Sequence, residues 1–177
     1  LAYKNGFLKI PIIEYWLKEL VLVIQTKFPD FKPASRQFKF INTIDVDNAF
    51  CYLEKGLLRT VGAICRSLLQ FDFDPIPKRI RVLLGKEKDP YDTFDYLLDI
   101  QKKYDFKSIY FFLLADYGYN DKNIAHTSRK FQVLVKTMAD YVNVGIHPSW
   151  ASNTETHKLS KEINRLESIV NREVIRS

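Results

Sequence analysis

Three positions in this chain carry side chains whose types and spacing could do chemistry. Asp45 and Asp47 stand two apart in Thr43-Ile-Asp-Val-Asp47, so on an extended backbone both carboxylates point to the same side. One of them could hold a metal ion while the other handles a proton. Far downstream comes His147, followed by Pro148, which stiffens the turn. Carboxylate oxygen with imidazole nitrogen suits a divalent ion, Zn²⁺ being the commonest and Co, Ni or Mn the alternatives. Trp150 follows directly, and its indole could be a stacking platform for a sugar ring or a lid that only packs.

Each residue also has a plainer role open to it. Asp45 and Asp47 could cap a helix or form Asx turns, and His147 could be a hydrogen-bonded structural histidine. His126 lies in a polar stretch and His157 on a helix face, which marks both as solvated. Cys51 and Cys65 have no evident base partner and read as core or helix residues.

Residues this far apart can meet only if the elements around them bring them together. Pro11 suits a first helical turn, and Ile12, Ile13, Trp16, Leu17, Leu20, Val23 and Ile24 recur at helical spacing until Pro29 and Pro33 intervene. Such a helix needs something to pack on. Gln37 to Ile44 alternates as a strand should and leads into Asp45. Helices are predicted over Leu57 to Leu69, from Asp89-Pro90 to Tyr104, from Ser128 to Tyr141, and from Glu155 to Val170. Phe71 to Pro77 reads as a loop. Ser108 to Ala115 is a continuous apolar run, as for a strand covered on both faces, and Val142 to Ile146 is a short buried strand. Strands and helices therefore alternate after residue 35, the order of βαβ units around a parallel sheet or barrel. In that architecture ligands sit at the carboxyl ends of the strands. Asp45, Asp47 and His147 all fall there, on one rim.

The chain has 177 residues, 46% of them hydrophobic and 27% charged, enough for one domain and an appendage with a core that needs no disulfide staple. Its net charge is +6, but the positive residues are scattered. The densest groups, Lys78-Arg79-Arg81 and Lys86-Lys88, run straight into Asp89, Asp92 and Asp95, so nucleic acid is not the expected partner. No apolar run reaches the length of a membrane span. Unpaired cysteines and the lack of a recognisable leader point to the cytoplasm. Oligomeric state is left open.

Four segments together resemble the NodB-type polysaccharide deacetylases, carbohydrate esterase family 4. These are Phe40-Ile-Asn-Thr-Ile-Asp-Val-Asp47, the stretch from Gly85 to Asp95, Ile109-Tyr-Phe-Phe-Leu-Leu114, and Val144-Gly-Ile-His-Pro-Ser-Trp150. The resemblance implies an α/β fold, a distorted (β/α) barrel of seven strands, of which residues 35–177 would be the N-terminal part and residues 1–34 a leading helix and connector. It also implies removal of acetyl groups from a carbohydrate with a divalent metal. Asp45 would be the general base, Asp47 and His147 metal ligands, and Trp150 a substrate contact. The family usually has a second histidine four residues after the first, where this chain has Ala151; the site then has one protein ligand fewer unless Ser149, Ser152 or a residue beyond the end supplies it. The family's later motifs do not occur before Ser177, and the sequence stops within the helical text from Asn171 onward, so the chain as a whole reads as the front half of a catalytic domain. Two other readings fit the same residues. One is a glycan-binding pseudoenzyme of the same fold. The other is a glycosyltransferase whose Asp45-Val-Asp47 holds Mn²⁺ on a nucleotide-sugar diphosphate.

Overall fold

The computed structural model describes residues 1–34 and 37–174, and the chain divides into two units, residues 1–39 and 40–177. The expected boundary between residues 34 and 35 lies at the edge of the described residues. In the first unit, helix α1 spans Ile12–Lys27 and stops ahead of Pro29, as its spacing predicts. None of its residues is buried within the chain. Ile13, Trp16, Leu20 and Val23 are exposed.

The second unit is built on strands β1 (Ile41–Val46), β2 (Lys107–Leu113) and β3 (Asn143–His147). They form a parallel sheet in the order β1-β2-β3. Helices α2 (Leu57–Leu69), α3 (Pro75–Leu83) and α4 (Phe94–Tyr104) connect β1 to β2. Helix α5 (Arg129–Tyr141) connects β2 to β3, and α6 (Thr156–Val170) follows. The chain is therefore α/β. No described helix is long and apolar enough to cross a membrane.

The register divides the sheet into two unlike faces. Side-by-side partners in a parallel pair point the same way, so Ile44, Tyr110 and Val144 share one face with Val46, Phe112 and Ile146. Phe94, Phe131, Val135, Met138 and Leu166 join them in the apolar core, in which Phe112 is completely buried. Burying side chains of this kind supplies roughly 1.5–3 kcal/mol each and drives the packing. The opposite face carries Thr43, Asp45, Ile109, Phe111, Leu113, Gly145 and His147. Ile109 and Phe111 are only half-buried there, so β2 is not covered equally on both faces as its apolar run predicts.

Other boundaries also differ. β1 begins at Ile41 rather than Gln37 and includes Asp45, and β3 includes His147. α3 takes up only the end of the stretch read as a loop, Pro75 to Pro77, and runs on to Leu83, because Pro75 stands in its first turn, where a missing N–H costs nothing. α4 opens at Phe94 rather than Asp89, since the Asp89 side chain is engaged elsewhere, as described below. α2 has no buried residue, and Leu58, Val61, Cys65 and Leu68 lie exposed. α6 ends at Val170 with Asn171 in the left-handed conformation, so Asn171 to Val174 do not continue the helix. Residues 175–177 lie outside the described residues.

Candidate functional site

Three loops leave the carboxyl end of the sheet, and specific side chains bind each to its neighbours. After β1, Asp89 holds the backbone of residues 51–53. Its Oδ1 accepts from the Cys51 and Tyr91 N–H groups at 2.7 and 3.0 Å, and its Oδ2 from Tyr52 and Leu53 at 2.8 and 3.1 Å. Burial alone would raise the Asp89 pKa, but these donors outweigh it and hold the carboxyl below its usual value. After β2, Arg59 on α2 donates to the Asn123 and Lys122 carbonyls and stacks over the Tyr117 ring at 4.6 Å. Ser128 caps α5 by accepting from the Phe131 N–H, as its position predicts, and donates to Glu54 at 2.7 Å. After β3, the Ser149 N–H donates to the buried Glu162 carboxylate at 3.2 Å, and the Trp150 N–H to Asp121 Oδ1 at 3.0 Å.

This clamped rim brings Asp47 and His147 together. Asp47 lies one residue beyond β1 and His147 is the last residue of β3, and both face a pocket of about 450 Å³. Asp47 Oδ1 is 3.7 Å from His147 Nε2. The other ring nitrogen of His147, Nδ1, is buried without a hydrogen-bond partner, so the imidazole addresses the pocket through Nε2. Trp150 lines the same pocket with 66% of its surface exposed. Asp45 is exposed on the same sheet face but lines an adjoining depression with Tyr91, Thr93 and Leu97, which shares Asp47 and Asn48 with the pocket. Neither aspartate caps a helix, since α2 begins only at Leu57, behind Gly56.

Asp47 and His147 offer one oxygen and one nitrogen donor, and their separation suits two donors each about 2 Å from a shared divalent ion. Among the described residues, no group of three His, Cys, Asp or Glu gathers to hold a metal. Ala151 occupies a short 3₁₀ turn, Ala151–Asn153. The two serines beside it are tied to each other: Ser152 donates its hydroxyl to the Ser149 carbonyl at 2.8 Å, and the Ser149 hydroxyl accepts the Ser152 N–H at 3.1 Å. The donor pair fits half of a metal site.

Several residues at this site were not singled out from the sequence. Asn123 is 1% exposed and donates to the Ala115 and Ile124 carbonyls at 2.8 and 3.0 Å, yet its Oδ1 has no partner. It lines the pocket beside Asp121 and Asn120. The polar run Asn120-Asp-Lys-Asn123 was the available signal. Lys55 donates to Asn48 Oδ1. Burial, and then the nearby Arg59 charge, hold its ammonium pKa below the usual value.

Comparison of the chain with family models, curated proteins and solved structures finds no match.

Proposed function

We propose that this chain carries part of the site of a metal-dependent carbohydrate deacetylase of the NodB type, within what would be the N-terminal strands of a larger (β/α) barrel. The observation that carries the reading is the 3.7 Å approach of Asp47 Oδ1 and His147 Nε2 from opposite edges of one sheet. Asp47 and His147 would hold two positions on a divalent ion, Zn²⁺ first among the candidates. When bound, such an ion supplies Lewis-acid polarisation of the acetyl carbonyl and lowers the pKa of water. Asp45 takes the role of general base, in keeping with its exposed carboxylate on the same sheet face. Trp150 offers its exposed indole to a sugar ring, and Asp121 fixes the backbone from which that indole projects.

Ala151, in place of a second histidine, favours one further reading, a glycan-binding pseudoenzyme that has lost its metal. Zn²⁺ calorimetry on the protein and on its Asp47→Ala and His147→Ala variants separates the two. The deacetylase reading expects one site, lost in both variants, together with acetate release from an acetylated glycan. Glycan binding with neither Zn²⁺ uptake nor acetate release would establish the pseudoenzyme. Zn²⁺ binding that survives both substitutions would remove the site.

A further inference from the structure

Away from Asp47 and His147, helices α5 and α6 pack against each other and enclose between them an open groove of about 860 Å³. Its walls carry Arg129 and Lys136 from α5, Lys161 and Arg165 from α6, and the imidazoles of His126 and His157. Among the described residues, no carboxylate lines it. Asp116 stands at its margin, where its Oδ1 meets Arg165 Nη2 at 2.5 Å and its Oδ2 meets Lys161 Nζ at 3.1 Å; His126 Nε2 lies 4.0 Å from Oδ1. Glu155 faces His157 at 3.7 Å but is also engaged by Lys158. Among the described residues, the side chains of Arg129 and Lys136 have no ion-pair or hydrogen-bond partner. The field of the groove also acts on His126: burial first, and then the Arg165 and Lys161 charges, depress its pKa against the opposing pull of Asp116.

Unneutralised cations along a groove attract anions and concentrate them there. Arg129 and Lys136 are two helical turns apart on α5, about 10 Å along its axis, too far to share one small oxyanion. The arrangement calls for an extended ligand with spaced negative charges. Between the cations the walls present neutral polar groups, among them Asn164, Ser160 and the amide oxygen of Gln132, whose Nε2 donates to the His126 carbonyl, and these can exchange hydrogen bonds with sugar hydroxyls. Grooves for single-stranded nucleic acid add aromatic rings on which bases stack, and no Phe, Tyr or Trp lines this one.

We infer that the α5–α6 groove is a binding site for an acidic polysaccharide, its carboxylate or sulfate groups held by Arg129 and Lys136, with the exposed Lys161 ammonium beside them; Arg165 is committed to Asp116 and the Leu114 carbonyl and shapes the wall. The inference uses none of Asp45, Asp47 or His147 and stands independently of the deacetylase reading.

The test is calorimetry at low salt with three probes: a carboxylated oligogalacturonate, a sulfated oligosaccharide, and a single-stranded oligonucleotide of equal charge. At least one acidic oligosaccharide should bind more tightly than the oligonucleotide, and the stronger of the two identifies the anionic group. Arg129→Ala with Lys136→Ala, both at exposed positions, should weaken that binding at least tenfold and flatten its salt dependence, while circular dichroism stays unchanged. Asp47→Ala should leave it intact. Failure of both oligosaccharides to bind folded protein would overturn the inference, as would affinity indifferent to the double substitution. Tighter binding of the oligonucleotide through the same two residues would replace it with a nucleic-acid groove.

Discussion

The loop after β1 gives the sharpest handle on how the rim is held. Asp89 is 4% exposed and accepts four backbone N–H groups, from Cys51, Tyr52, Leu53 and Tyr91. A hydrogen bond to a charged group contributes roughly 1.5–3 kcal/mol, and these four are not additive, since the exposed parts of the loop regain water when released. Asp89→Ala should therefore destabilise by about 3–5 kcal/mol, well below the sum of four such bonds, because it leaves neutral N–H donors of which only part regain water. For a chain of this length that corresponds to a fall in Tm on the order of 10 °C. Asp89→Asn is more diagnostic. Because each carboxylate oxygen serves two donors, either orientation of the amide keeps two N–H groups satisfied and turns its own NH₂ on the other two, at a cost of about 2–3 kcal/mol. The assay is urea unfolding followed by tryptophan fluorescence and circular dichroism, repeated from pH 7 downward. The Asp89 carboxyl pKa is depressed in the folded chain, so the unfolded state binds its proton first as pH falls. Its stabilisation is complete above the ordinary aspartate value of about 3.9 and is lost as pH drops towards the folded value. The gap between wild type and Asp89→Asn should thus be widest near neutral pH and narrow below about pH 4. A gap under about 1 kcal/mol at pH 7, or one that does not change with pH, would refute the view that this carboxylate anchors the loop.

Three further substitutions probe the other parts of the rim. Asn123→Leu removes the amide that serves the Ala115 and Ile124 carbonyls, and should cost about 2–4 kcal/mol by denaturant unfolding. Ser128→Ala removes the α5 cap together with its bond to Glu54, and should cost about 1 kcal/mol while speeding amide exchange at Phe131. On the proposed deacetylase reading, Asp45→Asn should abolish acetate release and leave Zn²⁺ affinity within a few-fold of wild type; turnover that persists would remove Asp45 from the role of base.

Much of this architecture could be read along the chain, because local rules act on local residues. Pro11 and Pro29 bracket α1, Ser128 opens α5, and the apolar runs at 108–115 and 142–146 became β2 and β3 in a parallel sheet. Asp45-Val-Asp47 and His147-Pro148 stood out for the same reason: their residue types lie where strands end. The α3 helix was less legible. Its prolines signal a break equally well as a first turn, and the start of α4 depended on Asp89, a side chain engaged with residues 36 to 38 positions earlier.

What the sequence determined by itself was the three strands and every α-helix but α3, their order, and the residue types each strand end could bring. Only the tertiary structure decided which of those side chains meet. Register across β1, β2 and β3 set Asp47 against His147 and left Asp45 in the adjoining depression. The basic groove escapes a linear reading altogether: Arg129, Lys136, Lys161 and Arg165 look scattered along the chain, and gather because α5 and α6 pack side by side. Charge along a chain adds locally, whereas charge in a groove adds over elements that packing alone makes neighbours.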